Sequence, residues 1–248
     1  MTTRLLEGKT ALVTGGSRGV GAGIVARLAA DGARVAFTYA NSAERAQTVA
    51  AAAGAAGGTA HPIHADSLHE RDVESAVAQT IDRFGTLDIL VNNAAVATMA
   101  PITELKPAEI DAMLTINVRS AIVAIRESLA HMGNGGRIIN IGSINADRTP
   151  FPGLSVYAMT KGALASLTRG LAHELGPRGI TVNNIQPGPI DTDANPADGP
   201  TASAQLGVMA TDRFGTAPEV AAFVAYLAGP DAAYITGSSL NIDGGYTA

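Results

Sequence analysis

A single α/β domain, built on a parallel sheet with helices on both faces, is the fold class that this sequence predicts. Three observations carry the expectation. Short β-branched runs alternate with longer Ala-rich stretches along the whole chain. A glycine-rich turn follows the first of those runs immediately. No linker, internal repeat or break in composition divides the 248 residues, a length that suits one large domain.

The elements follow in order. TALVTGG (residues 10–16) reads as a buried strand, with a helix over 19–30 behind it. RVAFTYA (34–40) is the second strand and SAERAQTVAAAAG (42–54) the second helix. TAHPIHAD (59–66) and LDILVNNA (87–94) are the next strands, joined by a helix through 73–84. One long helix is expected over 108–130, then the strand GRIINIGS (136–143) and a helix over 154–175. TVNNIQPG (181–188) and SSLNIDGG (238–245) complete the strands. Apolar runs this short, each followed by a helical crossover, are those of a parallel sheet covered on both sides. The one irregular stretch, PIDTDANPADGPTASAQ, predicts a lid over residues 189–213 of an otherwise undivided domain spanning 1–248.

Composition narrows the function classes. With no Trp and a hydrophobic content of 46%, the core must be built from Ala, Val, Ile and Leu. A formal net charge of -5 gives no electrostatic case for nucleic acid or an anionic membrane as a partner. The absence of cysteine excludes disulfides, thiol catalysis and cysteine-based zinc sites. The first residues, MTTRLLEGKTALVTGG, are interrupted by Glu7, Gly8 and Lys9 and do not read as a signal peptide. No segment reaches roughly 18 uninterrupted apolar residues, so a soluble cytoplasmic protein is expected. HPIHADSLHE brings His61, His64, Asp66 and His69 close in sequence, but two of the histidines fall on a strand and one in a turn. That spacing fits no compact chelating motif, and no metal is expected. His131 and His173 read as helix-surface or packing residues.

Two motifs carry chemistry. In VTGGSRGVGAGI, Thr14, Gly15, Gly19 and Gly21 set a T-G-x-x-x-G-x-G turn between the first strand and helix. Glycines there let the backbone approach a ligand, and the free N–H groups of the helix start favour an anion. In SVYAMTKGAL, Tyr157 and Lys161 stand four residues apart, just over one helical turn, and so on one face of an otherwise apolar helix. A phenol holds its proton to about 10, and a neighbouring ammonium is expected to lower that value and make the pair an acid/base. Alone, each motif has a plainer reading, a tight turn or a surface coincidence; their joint occurrence in this order favours the chemistry.

Together with NNAA on the fourth strand, IGS on the fifth, YAMTK and QPGPIDT, the glycine pattern resembles the short-chain dehydrogenase/reductase family over essentially the whole chain. The resemblance implies a seven-stranded Rossmann-type sheet that binds a nicotinamide dinucleotide. It implies a catalytic tetrad of Asn117, Ser143, Tyr157 and Lys161. In it Ser143 would hydrogen-bond the carbonyl oxygen, Lys161 would also hold the nicotinamide ribose, and Asn117 would position a water that links Lys161 to solvent. It implies that the cofactor phosphates lie on Gly15, Ser17, Arg18, Gly19, Val20 and Gly21, and the adenine beside Asp66 and Ser67. Asn93, Ala94 and Pro187 would also bind the cofactor, and the backbone after Gly188, near Ile190, with the Thr192 side chain would bind the nicotinamide carboxamide.

The second strand ends in TYANSAERA, with Thr38, Tyr39, Asn41 and Ser42 but no acid before Glu44. No carboxylate is there to repel a ribose 2′-phosphate, and Arg18 supplies a cation able to pair with one. NADP(H) is therefore expected over NAD(H). The strand-four motif ends in Ala95 where the family usually has glycine, and the loop from Ser143 to Tyr157 is one residue longer than in many relatives. That loop would present Asn145, Pro150 and Phe151 to substrate beside Ser143 and Tyr157. The expected activity is reversible reduction of a small or medium ketone to an alcohol. Two alternatives stay open. IGSINADRTP and QPGPIDTDANPADGP are similar to stretches of a cyclic-di-GMP-binding branch of the family, which suggests a nucleotide-binding regulator. A 3-oxoacyl-carrier-protein reductase is the other, and the acidic lid with Asp191, Asp193 and Asp198 weighs against it. The resemblance also implies a homotetramer, or a dimer, paired through the central helices, with Ile122, Val123 and Leu167 as candidates for the partner-facing stripe.

Overall fold

The computed structural model describes residues 4–248. Its sheet has seven parallel strands: β1 (Thr10–Val13), β2 (Arg34–Tyr39), β3 (Thr59–His64), β4 (Ile89–Asn92), β5 (Arg137–Ile141), β6 (Thr181–Pro187) and, last in the chain, Ser239–Ile242. A separate pair of two-residue strands, β7 (Ile190–Asp191) and β8 (Gly215–Thr216), brackets most of the stretch expected to form a lid, so the last strand of the main sheet is β9. The order across the main sheet is β3-β2-β1-β4-β5-β6-β9. The chain reverses direction across the sheet between β1 and β4, and a crevice opens at their carboxyl ends.

Alternation along single strands builds the two faces. Ala11 and Val13 of β1 join one apolar cluster, while Leu12 between them joins the other. The first cluster is closed by α1 (Gly19–Ala30) through Ile24, Val25 and Leu28. The second is closed by α3 (Glu70–Phe84) through Val73 and Val77. Helix α2 (Ala43–Ala55) covers the edge near β2 and β3. Gly85, left-handed with φ 81°, stops α3 just before β4.

Two departures from the sequence reading bear on function. The helix expected over 108–130 is not continuous: α4 (Pro107–Leu114) and α5 (Ser120–Leu129) are separated by a π-helical turn, Thr115–Arg119. One extra residue in that turn rotates Asn117 out of register with the helix around it. Beyond α6 (Ser155–Leu175) and the lid helix α7 (Ala202–Leu206) lies α8 (Ala217–Ala228), which the sequence reading passes over. Helix α8 packs against α1, where a Cβ on Gly23 would stand 3.1 Å from the Ala217 carbonyl oxygen. Its signal was present: Thr216 and Glu219 form a capping box with Pro218 in the first turn.

Of the apolar residues expected on a partner-facing stripe, Ile122 is exposed, but Val123 is buried in the core and Leu167 packs partly against it. No helix among the described residues is long and apolar enough to cross a membrane.

Candidate active site

The crevice at the carboxyl ends of β1 and β4 is built first from backbone. Gly15 and Gly19 take positive φ, 68° and 52°, where a side chain would be strained. Gly21 is required by contact: a Cβ there would lie 2.2 Å from the Gly15 carbonyl oxygen and 2.6 Å from Asn93 Nδ2. The loop is pinned from both sides. The Gly15 N–H donates to Thr38 Oγ1 of β2 at 2.9 Å. Thr14 Oγ1 accepts from the N–H groups of Asn93 and Ala94, and Asn93 Nδ2 donates to the carbonyls of Thr14 and Gly15. Asn93 therefore holds the glycine loop in shape from its position just after β4.

Beside the glycine loop, Arg18 is exposed and pairs with no carboxylate among the described residues. Asn41 and Ser42 lie across the same cavity from it. Asp66 closes its own turn, accepting from the Leu68 N–H at 2.9 Å while its N–H donates to Asp72 Oδ2 at 3.0 Å. Arg45 of α2, which sequence reasoning did not single out, reaches Asp193 of the lid at 2.5 Å. Both partners are solvated, so the pair marks where the lid lies more than it holds it there.

The wall that carries Ser143, Tyr157 and Lys161 comes from the end of β5 and from α6. Ser143 follows β5 and caps a 3₁₀ turn, Ile144–Ala146, its hydroxyl accepting from the Asn145 N–H at 3.2 Å. Tyr157 opens onto the cavity with its ring packed beside Leu105, Met113 and Val156. Burial pushes its phenol above the ordinary value, and the neighbouring Ser143 hydroxyl pulls the other way. Lys161, one turn further along α6, is buried, and Nζ donates to the Ile141 carbonyl at 2.8 Å. Desolvation lowers its pKa to about 8. Nζ lies 5.7 Å from the centre of the Tyr157 ring. The expected lowering of the phenol is therefore not the direction found, because burial desolvates the phenol and Nζ of Lys161 spends its hydrogen bond on β5.

All of these groups line one cavity of about 990 Å³. It gathers the residues expected at the site except Asn117 and Pro150, the latter exposed on the loop outside the cavity: the glycine loop with Ser17 and Val20, Tyr39, Asn41, Ser42, Asp66, Ser67, Asn93, Ala94, Ser143, Asn145, Phe151, Tyr157, Lys161, Pro187, Gly188, Ile190 and Thr192. Asn117 sits behind the wall, 1% exposed. Its Oδ1 accepts from the Val96 N–H at 2.8 Å, and its Nδ2 donates to the Val96 carbonyl at 2.8 Å and to Thr160 Oγ1 at 3.0 Å. The side chain thus brackets the segment after β4 to α6. Sequence reasoning also missed Met99, Leu154, Gln205 and Tyr246, which line the end of the cavity beyond Ser143. Met99 and Leu154 come from separate loops, Gln205 from α7 and Tyr246 from the C-terminal segment, with no shared motif to flag them. His61 and His64 lie along β3 and His69 precedes α3; no group of three His, Asp or Glu residues placed to hold a metal gathers among the described residues.

A nicotinamide dinucleotide fits what is present: a backbone cradle that a Cβ at Gly21 would fill, an unpaired guanidinium at its mouth, and a cavity continuous from Arg18 to Tyr157. Comparison with known proteins agrees. A family model described as Enoyl-(Acyl carrier protein) reductase matches residues 15–247. The short-chain dehydrogenase/reductase of Serratia marcescens BCRC 10948 superposes with a TM-score of 0.97 at 56% identity, covering 98% of this chain and 100% of that one. A short chain dehydrogenase from Burkholderia cenocepacia J2315, solved in complex with NADP, gives 0.97 at 52% identity over 98% of this chain and 100% of that one. The cyclic-di-GMP-binding biofilm dispersal mediator protein of Escherichia coli K12 is 46% identical over 97% of this chain and 98% of its own length.

Proposed function

The chain belongs to the short-chain dehydrogenase/reductase family, and from that premise we propose that it is an NADP(H)-dependent oxidoreductase reducing the ketone of a small or medium uncharged substrate, reversibly, to an alcohol. The observation that carries the reading is one continuous cavity: the phosphate cradle lies at one end, and Ser143, Tyr157 and Lys161 share a wall at the other. NADPH, when bound, supplies the hydride. Backbone N–H groups of the glycine loop hold its phosphates, and Arg18, Asn41 and Ser42 hold the 2′-phosphate. Asp66 and Ser67 border the adenine, and Ile190 and Thr192 orient the nicotinamide.

The phenol of Tyr157, raised by burial, keeps its proton through neutral pH, which is the state needed to donate to the carbonyl oxygen as hydride reaches the carbon. Ser143 donates to the same oxygen as charge develops on it. Lys161 remains an ammonium below about 8, so it favours the phenolate that Tyr157 leaves behind until a solvent proton replaces the one given.

Charge selects the substrate class. The lining includes apolar Val96, Met99, Phe151, Leu154, Ile190 and Tyr246 beside neutral Asn145 and Gln205, and among the described residues the only cations on the cavity wall are Arg18 and Lys161. A carboxylate or phosphate on the substrate would be desolvated with no counter-ion. Docking of an acidic carrier protein is opposed by Asp191 and Asp198, exposed on the lid. The assembly we propose is a homotetramer in the cytoplasm, with exposed Ile122 and Leu114 on its central helices.

The test is NADPH oxidation over ketones, diketones, ketoesters and acyl thioesters, with NADH and Tyr157→Phe as controls. Turnover of neutral ketones that the substitution abolishes, with cofactor affinity retained, supports the reading. NADPH binding without turnover of any carbonyl overturns it.

A second reading, sequestration of a cyclic dinucleotide, rests on the identity to the cyclic-di-GMP-binding relative. Because Arg18, the exposed cation of the cavity, stands at the cradle end, such a dianion would occupy that end and compete with NADPH. Cyclic-di-GMP that fails to displace NADPH would remove this reading.

A further inference from the structure

Sequence motifs account for Ser143 but not for what holds it still. The turn that carries it is gripped at both ends by one face of β6. Upstream, a Cβ on Gly142 would lie 2.5 Å from Asn184 Oδ1, so β5 is pressed close against that side chain. Downstream, Asp147 ends the 3₁₀ turn, its N–H donating to the Ile144 carbonyl at 2.9 Å, and its Oδ2 accepts from Gln186 Nε2 at 2.6 Å. Asn184 and Gln186 are two residues apart on one strand and therefore project to the same side.

Gln186 is 0% exposed, and its amide is spent on named partners. Nε2 donates to Asp147 and to Asn241 Oδ1 at 2.9 Å, and Oε1 accepts from Asn184 Nδ2 at 3.2 Å. A buried primary amide with both donors and its acceptor engaged is held in one orientation, because any rotation leaves a polar group unpaired. The residue after Asp147 adds a second tie: Arg148 donates to the Tyr246 carbonyl, with its guanidinium 5.5 Å from the centre of that ring.

We propose that Gln186 and Asp147 are positioning residues for the reduction: Gln186, through Asp147, fixes the turn from which the Ser143 hydroxyl and Asn145 face the substrate. The inference rests on the reading of Ser143 as a carbonyl-binding group. Neither residue lies on the cavity wall, so each acts only through the turn. Displacement of a reacting group by about 1 Å costs on the order of 100-fold in rate, which sets the scale of effect a loosened turn can reach.

The experiment compares the wild type with Asp147→Ala, Asp147→Asn, Gln186→Glu and the double variant Asp147→Asn/Gln186→Glu. NADPH affinity is read by cofactor fluorescence, and kcat and KM are read on a ketone that the wild type turns over. Asp147→Ala removes the acceptor and lowers kcat by about 10-fold or more, with NADPH affinity unchanged. Asp147→Asn keeps an acceptor for the Gln186 amide and retains most of the turnover that alanine loses. Gln186→Glu sets two carboxylates face to face and lowers kcat, and the double variant, with donor and acceptor exchanged, recovers it. Turnover by Asp147→Ala equal to the wild type overturns the proposal, as does a double variant no better than Gln186→Glu alone. A wild type that reduces no carbonyl overturns the reading of the site and this inference with it; a wild type that does, with a Tyr157→Phe control that does not, leaves the variants to decide the inference alone.

Discussion

Lys161 Nζ donates to the carbonyl oxygen of Ile141 at 2.8 Å, tying the second turn of α6 to the last residue of β5. The contact carries the ammonium into a fully protein environment, and burial lowers its pKa from 10.5 to about 8. The charged form is the protonated one. Reduction, which uses the ammonium beside the phenolate, is therefore flat below about pH 8 and falls above it, approaching tenfold per unit. Initial rates at saturating NADPH from about pH 6 to about pH 10 check this; a rate constant through that range would separate turnover from Lys161.

The same shift has a consequence for stability. A folded pKa depressed from 10.5 to about 8 gives a contribution fully present above 10.5 and lost as pH falls through about 8. Between those values the unfolded chain binds the extra proton, so stability rises with pH by about 3 kcal/mol from this one group. Lys161→Met removes the rise. The difference in ΔG of unfolding between wild type and variant should shift by that amount in favour of the wild type from about pH 7.5 to about pH 10.5. Urea denaturation at both ends of the range measures it, and parallel curves would refute it.

Arg18 is the free cation at the mouth of the cradle, and Asn41 and Ser42 offer no charge of their own. A charge-assisted hydrogen bond to phosphate contributes about 1.5–3 kcal/mol. Arg18→Ala should lower kcat/KM for NADPH roughly 10- to 100-fold and leave that for NADH nearly unchanged. Equal losses with both cofactors would show that Arg18 holds the shared pyrophosphate instead of the 2′-phosphate.

Gly21→Ala tests the cradle without touching charge. The new methyl would stand 2.2 Å from the Gly15 carbonyl oxygen and 2.6 Å from Asn93 Nδ2, so loop and bracket must both shift. Overpacking of this kind costs about 1–3 kcal/mol of stability, and NADPH affinity should fall more than tenfold. Titration of cofactor fluorescence decides it; unaltered affinity would mean that the phosphates do not rest on this turn.

The parts of the molecule that sequence disclosed are those with a local physical signature. The glycine loop was legible because Gly15 and Gly19 need positive φ and Gly21 needs an absent Cβ, each a requirement that only glycine meets. Tyr157 and Lys161 were legible because four residues in a helix is a spatial statement. Helix α8 had a readable capping box at Thr216 and Glu219, but its apolar residues fall on most sides and leave little amphipathic period. The π turn at Thr115–Arg119 has no sequence signature: it depends on contacts that Asn117 makes with Val96 and Thr160, 21 and 43 residues away. The direction of the Tyr157 shift was hidden for a similar reason, since a spacing of four fixes a shared face but not how far burial desolvates the phenol.

Asn117 separates two accounts of one residue. If its task is to hold a water in a relay from Lys161, as the family resemblance implies, its removal should cost rate and little stability. The geometry assigns its side chain elsewhere: all three of its hydrogen bonds go to Val96 and Thr160. Asn117→Ala then leaves the Val96 N–H and carbonyl without these partners inside the protein. That costs about 1–3 kcal/mol, or about 2–12 °C in Tm for a chain of this size. Val96 lines the cavity between Ala95 and Ala97, so a slackened segment should also weaken substrate binding and raise KM. Calorimetry and steady-state kinetics on the same preparation give the answer. A lower Tm with a higher KM establishes the bracket, whereas a lost kcat at unchanged Tm and KM would return Asn117 to the relay.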